Sequence, residues 1–400
     1  MGDRISFAVI SDLHCTYDNN YGSQDTILFS NTVRNGDRKN QIQELLDLFD
    51  AENIKCDYVL CPGDITNKMD VQGLISGFGY LREIQAALGA QQLICAPGNH
   101  DVDFCRNNTS LFAKASDSLK QLDSMHYPLS DKDLSRSLID DGYCLYRNDK
   151  VAILCINSVA SFTDKSSSEK VFISESTLRS IENQLKTIPT TTTIRIALTH
   201  HHPILYTDLN FRSYNTRDYI ENGDTLIELI EKYHFNLLIH GHKHRAKLTS
   251  SRAVTLFGAG GFSALQNLQT GDNENTFHIV EVDSESPTKG IIRTWSYSCS
   301  AGWKKPSLQF PYKTGFGSTK NAIDLAEEIG THIQEKYGDQ QACIPFSYVV
   351  DRFKEIEYIH HERLKELYNE LKKYSCEHAK GDEQEYLLYQ PKQKGSTIND

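Results

Sequence analysis

Leu93-Ile94-Cys95-Ala96-Pro97-Gly98-Asn99-His100-Asp101 is the stretch on which the reading of this chain turns. An apolar run of strand length breaks at Pro-Gly and delivers three polar side chains in succession. Asn99 can give a neutral oxygen to a metal, His100 can carry a proton, and Asp101 can hold that imidazole in place. The plainer alternative is a helix N-cap after a strand, because Asn and Asp both cap well. The choice depends on whether other ligands reach the same place.

Working outward, the same pattern recurs. Residues 5–10 are a short apolar run followed at once by Asp12-Leu13-His14. Residues 58–61 lead into Gly63-Asp64, 194–199 into His200-His201-His202, and 235–239 into His240-Gly241-His242-Lys243-His244. Further strands are predicted at 143–147, 151–156, 253–258, 276–282 and 290–298, and helices at 41–50, 71–88, 174–188 and 223–234. Polar loops are expected at 17–40 and 207–222, with helix and loop over 102–141. Strands interleaved with helices predict largely parallel sheets with right-handed crossovers. Ligands of such folds bind beyond the carboxyl ends of the strands, so five strand ends on one edge can meet in a single pocket. Each cluster alone is a weak signal, as a loop tip or surface turn also explains it. Their joint placement at strand ends is what favours a site.

The donor set is oxygen plus imidazole with no thiolate, which suits manganese, iron or zinc rather than magnesium alone. It exceeds what one tetrahedral ion needs and is enough for two. A carboxylate can bridge two cations about 3.5–4 Å apart, and Asp64 is the natural bridge.

Composition sets the remaining bounds. Four hundred residues suggest one large α/β domain, with or without an extension, and 39% hydrophobic residues can build its core. The chain has 42 basic and 53 acidic residues, a formal charge of −11. That argues against a general polyanion-binding surface, so nucleic acid is a disfavoured partner. Ten cysteines are scattered without a CxxC pair, several within apolar runs. A reducing cytoplasm is the expected compartment, with no signal peptide before the first strand. No run is long enough to cross a bilayer. The Met1-Gly2…Ser6 match to a myristoylation pattern is read as accidental because Ser6 falls inside a strand.

From 317 the character changes. Helices are expected at 319–337 and 347–374, the second carrying an apolar stripe of Phe353, Ile356, Leu364, Leu367, Leu371 and Tyr374. Such a stripe usually packs on a core, but it also offers a surface for a protein partner or self-association. Residues 377–400 are polar and expected to be a disordered tail. The domain reading is therefore catalytic over 1–316, a helical extension over 317–376, and the tail.

Asp12-Leu13-His14, Gly63-Asp64, Gly98-Asn99-His100-Asp101, His200 and Gly241-His242-Lys243-His244 together resemble the signature of the calcineurin-like metallophosphoesterases. The resemblance spans about residues 5–300. It implies an α/β fold: a four-layer sandwich of two mixed β-sheets flanked by helices, here with a C-terminal helical extension. It also implies a centre of two divalent metal ions. One would take Asp12, His14, Asp64 and His244; the other Asp64, Asn99, His200 and His242, with His201 replacing His200 if the register slips. Two cations lower the pKa of a bridging water, so hydroxide becomes the expected nucleophile near neutral pH. His100, oriented by Asp101, is the expected general acid.

Protein Ser/Thr phosphatases of this class carry arginines after the second block and Gly-Asn-His-Glu. Ile65-Thr66-Asn67-Lys68 and Gly-Asn-His-Asp do not fit them. The His-His-His-Pro segment is more similar to bacterial cyclic-nucleotide phosphodiesterases, which makes a nucleotide-like phosphodiester the expected substrate. A nuclease whose C-terminal helices dock a partner is the alternative. An inactive scaffold is disfavoured because every ligand is retained.

Overall fold

The computed structural model describes residues 4–17, 26–30, 41–102, 117–120, 129, 131–162, 170–206, 218–265, 274–306, 310–381 and 384–391. Most of the loops expected at 17–40 and 207–222, most of 102–131, the Gly2 pattern and residues 392–400 lie outside them.

The chain divides into two compact units, Met1–Pro287 with Arg293–Tyr312, and Thr288–Ile292 with Lys313–Asp400. In the first unit, β1 (Arg4–Val9), α1 (Gln41–Glu52), β2 (Tyr58–Cys61), α2 (Val71–Leu88) and β3 (Gln92–Cys95) alternate as the periodicity predicts. The strands are short and buried on both faces, which is why they read as continuous apolar runs. The Asp70 carboxylate caps α2 by accepting from Gly73 N at 3.0 Å, and Gly89 ends the helix at φ 69°. Next come α3 (Lys132–Asp140), β4 (Tyr143–Arg147), β5 (Val151–Ile156), α4 (Glu175–Leu185), β6 (Ile194–Leu198), α5 (Gly223–Lys232) and β7 (Leu237–His240). The strands β8 (Lys247–Ser251), β9 (Val254–Gly258), β10 (Asn275–Asp283), β11 (Gly290–Ser298) and β12 (Gly302–Lys304) follow.

Two mixed sheets result. One runs β12-β11-β10-β1-β2-β3, the other β4-β5-β6-β7-β9-β8. Strands β1, β2 and β3 are mutually parallel, as are β5, β6, β7 and β9. The antiparallel strands β4 and β8 close the second sheet's edges. The sheets meet through Cys155 Sγ donating to Cys95 O (3.5 Å) and Asn148 Nδ2 donating to Tyr58 Oη (2.8 Å). One core buries Ile10, Val59, Leu154, Leu238 and Trp295 within this unit. At about 25 cal/mol per Å² of apolar surface removed from water, burial of this kind is what holds the layers together. Strands β8 and β12 are not predicted from sequence, since both are short, polar edge strands without an apolar run.

The second unit differs from the expected helices and tail. After β13 (Lys313–Phe316) and α6 (Ala322–Tyr337), strand β14 (Ala342–Pro345) precedes α7 (Phe346–Arg352) and α8 (His361–Leu371). The predicted 347–374 helix is thus broken. Residues 376–389, assigned in part to a disordered tail, contain β15 (Cys376–Lys380) and β16 (Glu385–Tyr389), in a sheet ordered β14-β16-β15. The missed signal is Tyr386-Leu387-Leu388-Tyr389, whose apolar and aromatic residues suit a strand. The stripe does not offer a docking face. Ile356, Leu367 and Leu371 are buried with Ile329, Ile333 and Leu387, and Phe353, Leu364 and Tyr374 pack against that same core. No described helix is long and apolar enough to cross a membrane.

Candidate metal centre

Strand pairing continues past the strand ends, and this sets the loops beside one another. Asp12 N donates to Gly63 O (3.0 Å) and His14 N to Asp64 O (2.9 Å), while Gly241 N donates to His200 O (3.1 Å). The loops then turn sharply. Asp12 (φ 54°), His14 (45°), Asp64 (53°), His242 (74°) and His244 (52°) all adopt the left-handed conformation. That costs L-residues about 1–2 kcal/mol each. Such strain persists where surrounding structure imposes it, and it clusters at functional sites. Two glycines permit the close approach. A Cβ on Gly98 would lie 2.1 Å from Asp64 Oδ1, and one on Gly241 2.2 Å from Ser11 Oγ.

Two groups of donors converge. In the first, His14 Nε2 lies 2.9 Å from His244 Nε2 and 3.6 Å from Asp64 Oδ2. Asp12 Oδ1 is 3.4 Å from His244 Nε2 and 3.9 Å from His14 Nε2. In the second, His200 Nε2 lies 3.0 Å from Asn99 Oδ1, 3.2 Å from His242 Nδ1 and 3.4 Å from Asp64 Oδ2. Donors about 2.0–2.2 Å from a shared ion stand roughly 3 to 3.5 Å apart at right-angled or tetrahedral spacing. All the observed separations but the 3.9 Å between Asp12 Oδ1 and His14 Nε2 lie in or within 0.1 Å of that range, and Asp64 Oδ2 belongs to both groups. Every residue expected as a ligand is thus brought together, and these residues could hold two ions. His200, His201 and His242 form one group of possible metal donors, and of the two expected alternatives it is His200 that faces Asp64 and Asn99. His201 instead places Nδ1 2.8 Å from Ser158 Oγ, its ring 4.5 Å from that of His242.

Electrostatics favour cations here. Asp12 and Asp64 are buried, which by itself would raise their carboxyl pKa values; His244 beside Asp12 and His200 beside Asp64 nonetheless hold both below the usual range. Burial favours the neutral ring at His200, yet Asp64 and Asp12 push its pKa up to about 9. His244 is raised in the same way by Asp12. Burial, with His100 nearby, lowers His14 to about 3, and burial with His201 lowers His242 strongly, so these two are neutral donors. The carboxylates therefore draw positive charge into the cavity, as a divalent ion would supply it.

The expected pairing of His100 with Asp101 is not found. Asp101 is fully buried, with Oδ1 accepting from Thr66 N (2.9 Å) and Oδ2 from Gly98 N (2.9 Å). It staples the two ligand-bearing loops together. The 98–101 turn, closed by Asp101 N donating to Gly98 O at 3.2 Å, sends the side chains of 100 and 101 apart. His100 Nδ1 lies instead 2.9 Å from Asn67 Oδ1 and 3.3 Å from the backbone nitrogen of Lys68. His100 N also donates to Asp64 Oδ1 (2.8 Å), and its ring meets the edge of His14 at 4.6 Å. Asn67 had a signal in the sequence, three residues after Asp64. Ser158 had none.

The sequence profile of the calcineurin-like phosphoesterases matches residues 5–246. Among solved structures, a purple acid phosphatase from yellow lupin (Lupinus luteus) seeds is similar at 13% identity and a TM-score of 0.49, covering 79% of this chain and 54% of its own. This chain thus spans about half the length of the lupin protein. A dimetal phosphatase from Danio rerio is similar at 12% identity and a TM-score of 0.48, over 78% of this chain and 100% of its own. Curated proteins give no match. The profile covers more than half of the residues, and it includes all the strand-end clusters: the chain belongs to the calcineurin-like phosphoesterase family.

Proposed function

We propose that this phosphoesterase hydrolyses phosphodiesters of the cyclic-nucleotide type at a centre of two divalent ions held by Asp12, His14, Asp64, Asn99, His200, His242 and His244. The observation that carries the reading is Asp64 Oδ2, which lies 3.6 Å from His14 Nε2 and 3.4 Å from His200 Nε2 and so serves both donor groups. Ions of the manganese, iron or zinc type supply Lewis-acid charge there, lowering the pKa of water and neutralising phosphoryl oxygens. The chain's own part is placement. Asn67 Oδ1, 2.9 Å from Nδ1, fixes the His100 ring, and to act as general acid that ring must be the imidazolium, giving its Nε2 proton to the leaving oxygen. Asp101 holds the Asp64 and Asn99 loops in register rather than acting on the proton. Among the described cysteines seven are buried and all are free, which supports a reducing, cytoplasmic setting. The nuclease alternative loses its docking stripe to the second unit's core.

Hydrolysis of bis(p-nitrophenyl) phosphate with added Mn²⁺ tests the reaction. Turnover of the two-metal protein no higher than that of Asp64→Ala would refute it. Cyclic mononucleotides assayed beside single- and double-stranded DNA test the substrate class, with cyclic nucleotides expected to be preferred. For the acid role, His100→Ala should slow substrates with poor leaving groups far more than p-nitrophenyl esters; equal losses would remove it from that role.

A further inference from the structure

His242 turns Nδ1 inward, 3.2 Å from His200 Nε2, so its Nε2 points away from the donor cluster. That outer nitrogen is buried and makes no hydrogen bond among the described residues. Asp218 Oδ2 stands 3.5 Å from it. The same oxygen accepts from Lys243 Nζ at 3.0 Å, so the carboxylate is anchored by the residue that separates His242 from His244. His200 shows what such an arrangement does: its Nδ1 lies 2.9 Å from Pro62 O, a pure acceptor, which keeps a proton on Nδ1 and leaves Nε2, facing Asn99 and Asp64, as the nitrogen that would bind an ion once its own proton is displaced.

We propose that Asp218 is a positioning residue for the second metal ion: it accepts the Nε2 proton of His242 and thereby keeps the Nδ1 lone pair directed at the ion. The inference rests on the dinuclear reading above. An imidazole binds a metal through one nitrogen only while the other carries the proton, and a carboxylate behind that proton fixes the tautomer and raises ligand basicity. Removing such a partner typically weakens metal binding about 10–100-fold. Lys243 Nζ, 3.0 Å from Oδ2, keeps the carboxylate aimed at the ring.

The test uses the full chain stripped of metal and titrated with Mn²⁺, with free Mn²⁺ followed by its EPR signal. Wild type should take up two ions. Asp218→Ala should weaken the second ion about 10–100-fold and leave the first unchanged, matching the direction of a His242→Ala control. Asp218→Asn keeps an acceptor oxygen and should restore most of the loss, which a merely structural role would not predict. If Asp218→Ala binds both ions as tightly as wild type, or loses both alike, the assignment of Asp218 falls while the dinuclear centre stands. If wild type itself takes up no second ion, the dinuclear reading falls and Asp218 with it.

Discussion

The two halves of the centre are built differently. Asp12, His14 and Asp64 of the first half lie on neighbouring loops of one sheet, joined by backbone bonds from Asp12 N and His14 N to the Gly63 and Asp64 carbonyls, and only its fourth donor, His244, comes from the other sheet, after β7. The second half sits on the seam between the sheets: Asn99 follows β3, whereas His200 and His242 follow β6 and β7. Outer contacts differ as well. His200 Nδ1 reaches across to Pro62 O and His242 Nε2 has Asp218 behind it, while His14 Nδ1 is buried without a hydrogen-bond partner among the described residues. Backbone bonds join the loops of the first half, whereas the second adds side-chain contacts made from outside to its backbone bond from Gly241 N to His200 O. The first should therefore tolerate loss of outer partners better than the second.

Asp64 is where the difference vanishes. Asp64→Ala should abolish the binding of both ions and reduce phosphodiester turnover by about 10³-fold or more, since several kcal/mol of charge stabilisation is lost; steady-state kinetics at saturating Mn²⁺ read this directly. Single-half variants should separate the sites. His14→Ala and Asn99→Ala should each leave one ion per chain, counted by atomic emission after dialysis, and any variant that retains two would break the division. Gly98→Ala comes next. Its new Cβ meets Asp64 Oδ1 at 2.1 Å, and overpacking of this kind costs about 1–3 kcal/mol. Metal uptake at both halves should weaken together, with a lower melting temperature.

The smallest effect is in pH. In the metal-free protein His200 holds its proton until pH passes about 9, so below that value the second ion must displace it. Affinity for that ion should rise by up to about tenfold per pH unit between pH 6 and 9 and then level off. His14, lowered to about 3, is already neutral there and contributes no such slope. Any slope in the first half comes from His244, whose pKa is raised. Mn²⁺ titrations of Asn99→Ala and His14→Ala at several pH values would show whether the halves differ in this way.

Much of the centre was legible because metal-ligand chemistry is local: an apolar run of strand length followed by Asp-x-His or Gly-Asn-His-Asp names its residues and its place at a strand end. What failed to be legible was where side chains point. Asp101 follows His100 in the chain and was expected behind its ring, but the turn sends it to Thr66 N and Gly98 N, and Asn67 takes the place. In the second unit, the apolar stripe was expected on one helix over 347–374, with packing on a core or a partner surface both open, because sequence does not show what faces it; the helix is broken, and residues of α6 and β16 share the core that takes the stripe.

From the chain alone follow the candidate metal donors, the alternation of strands and helices, and the family. These depend on residue type and short-range order. Tertiary structure decided which histidine of 200–202 faces Asp64, which group holds His100, and that Asp218 stands behind His242. Those depend on segments far apart in sequence meeting at distances of about 3 Å, which no local pattern encodes.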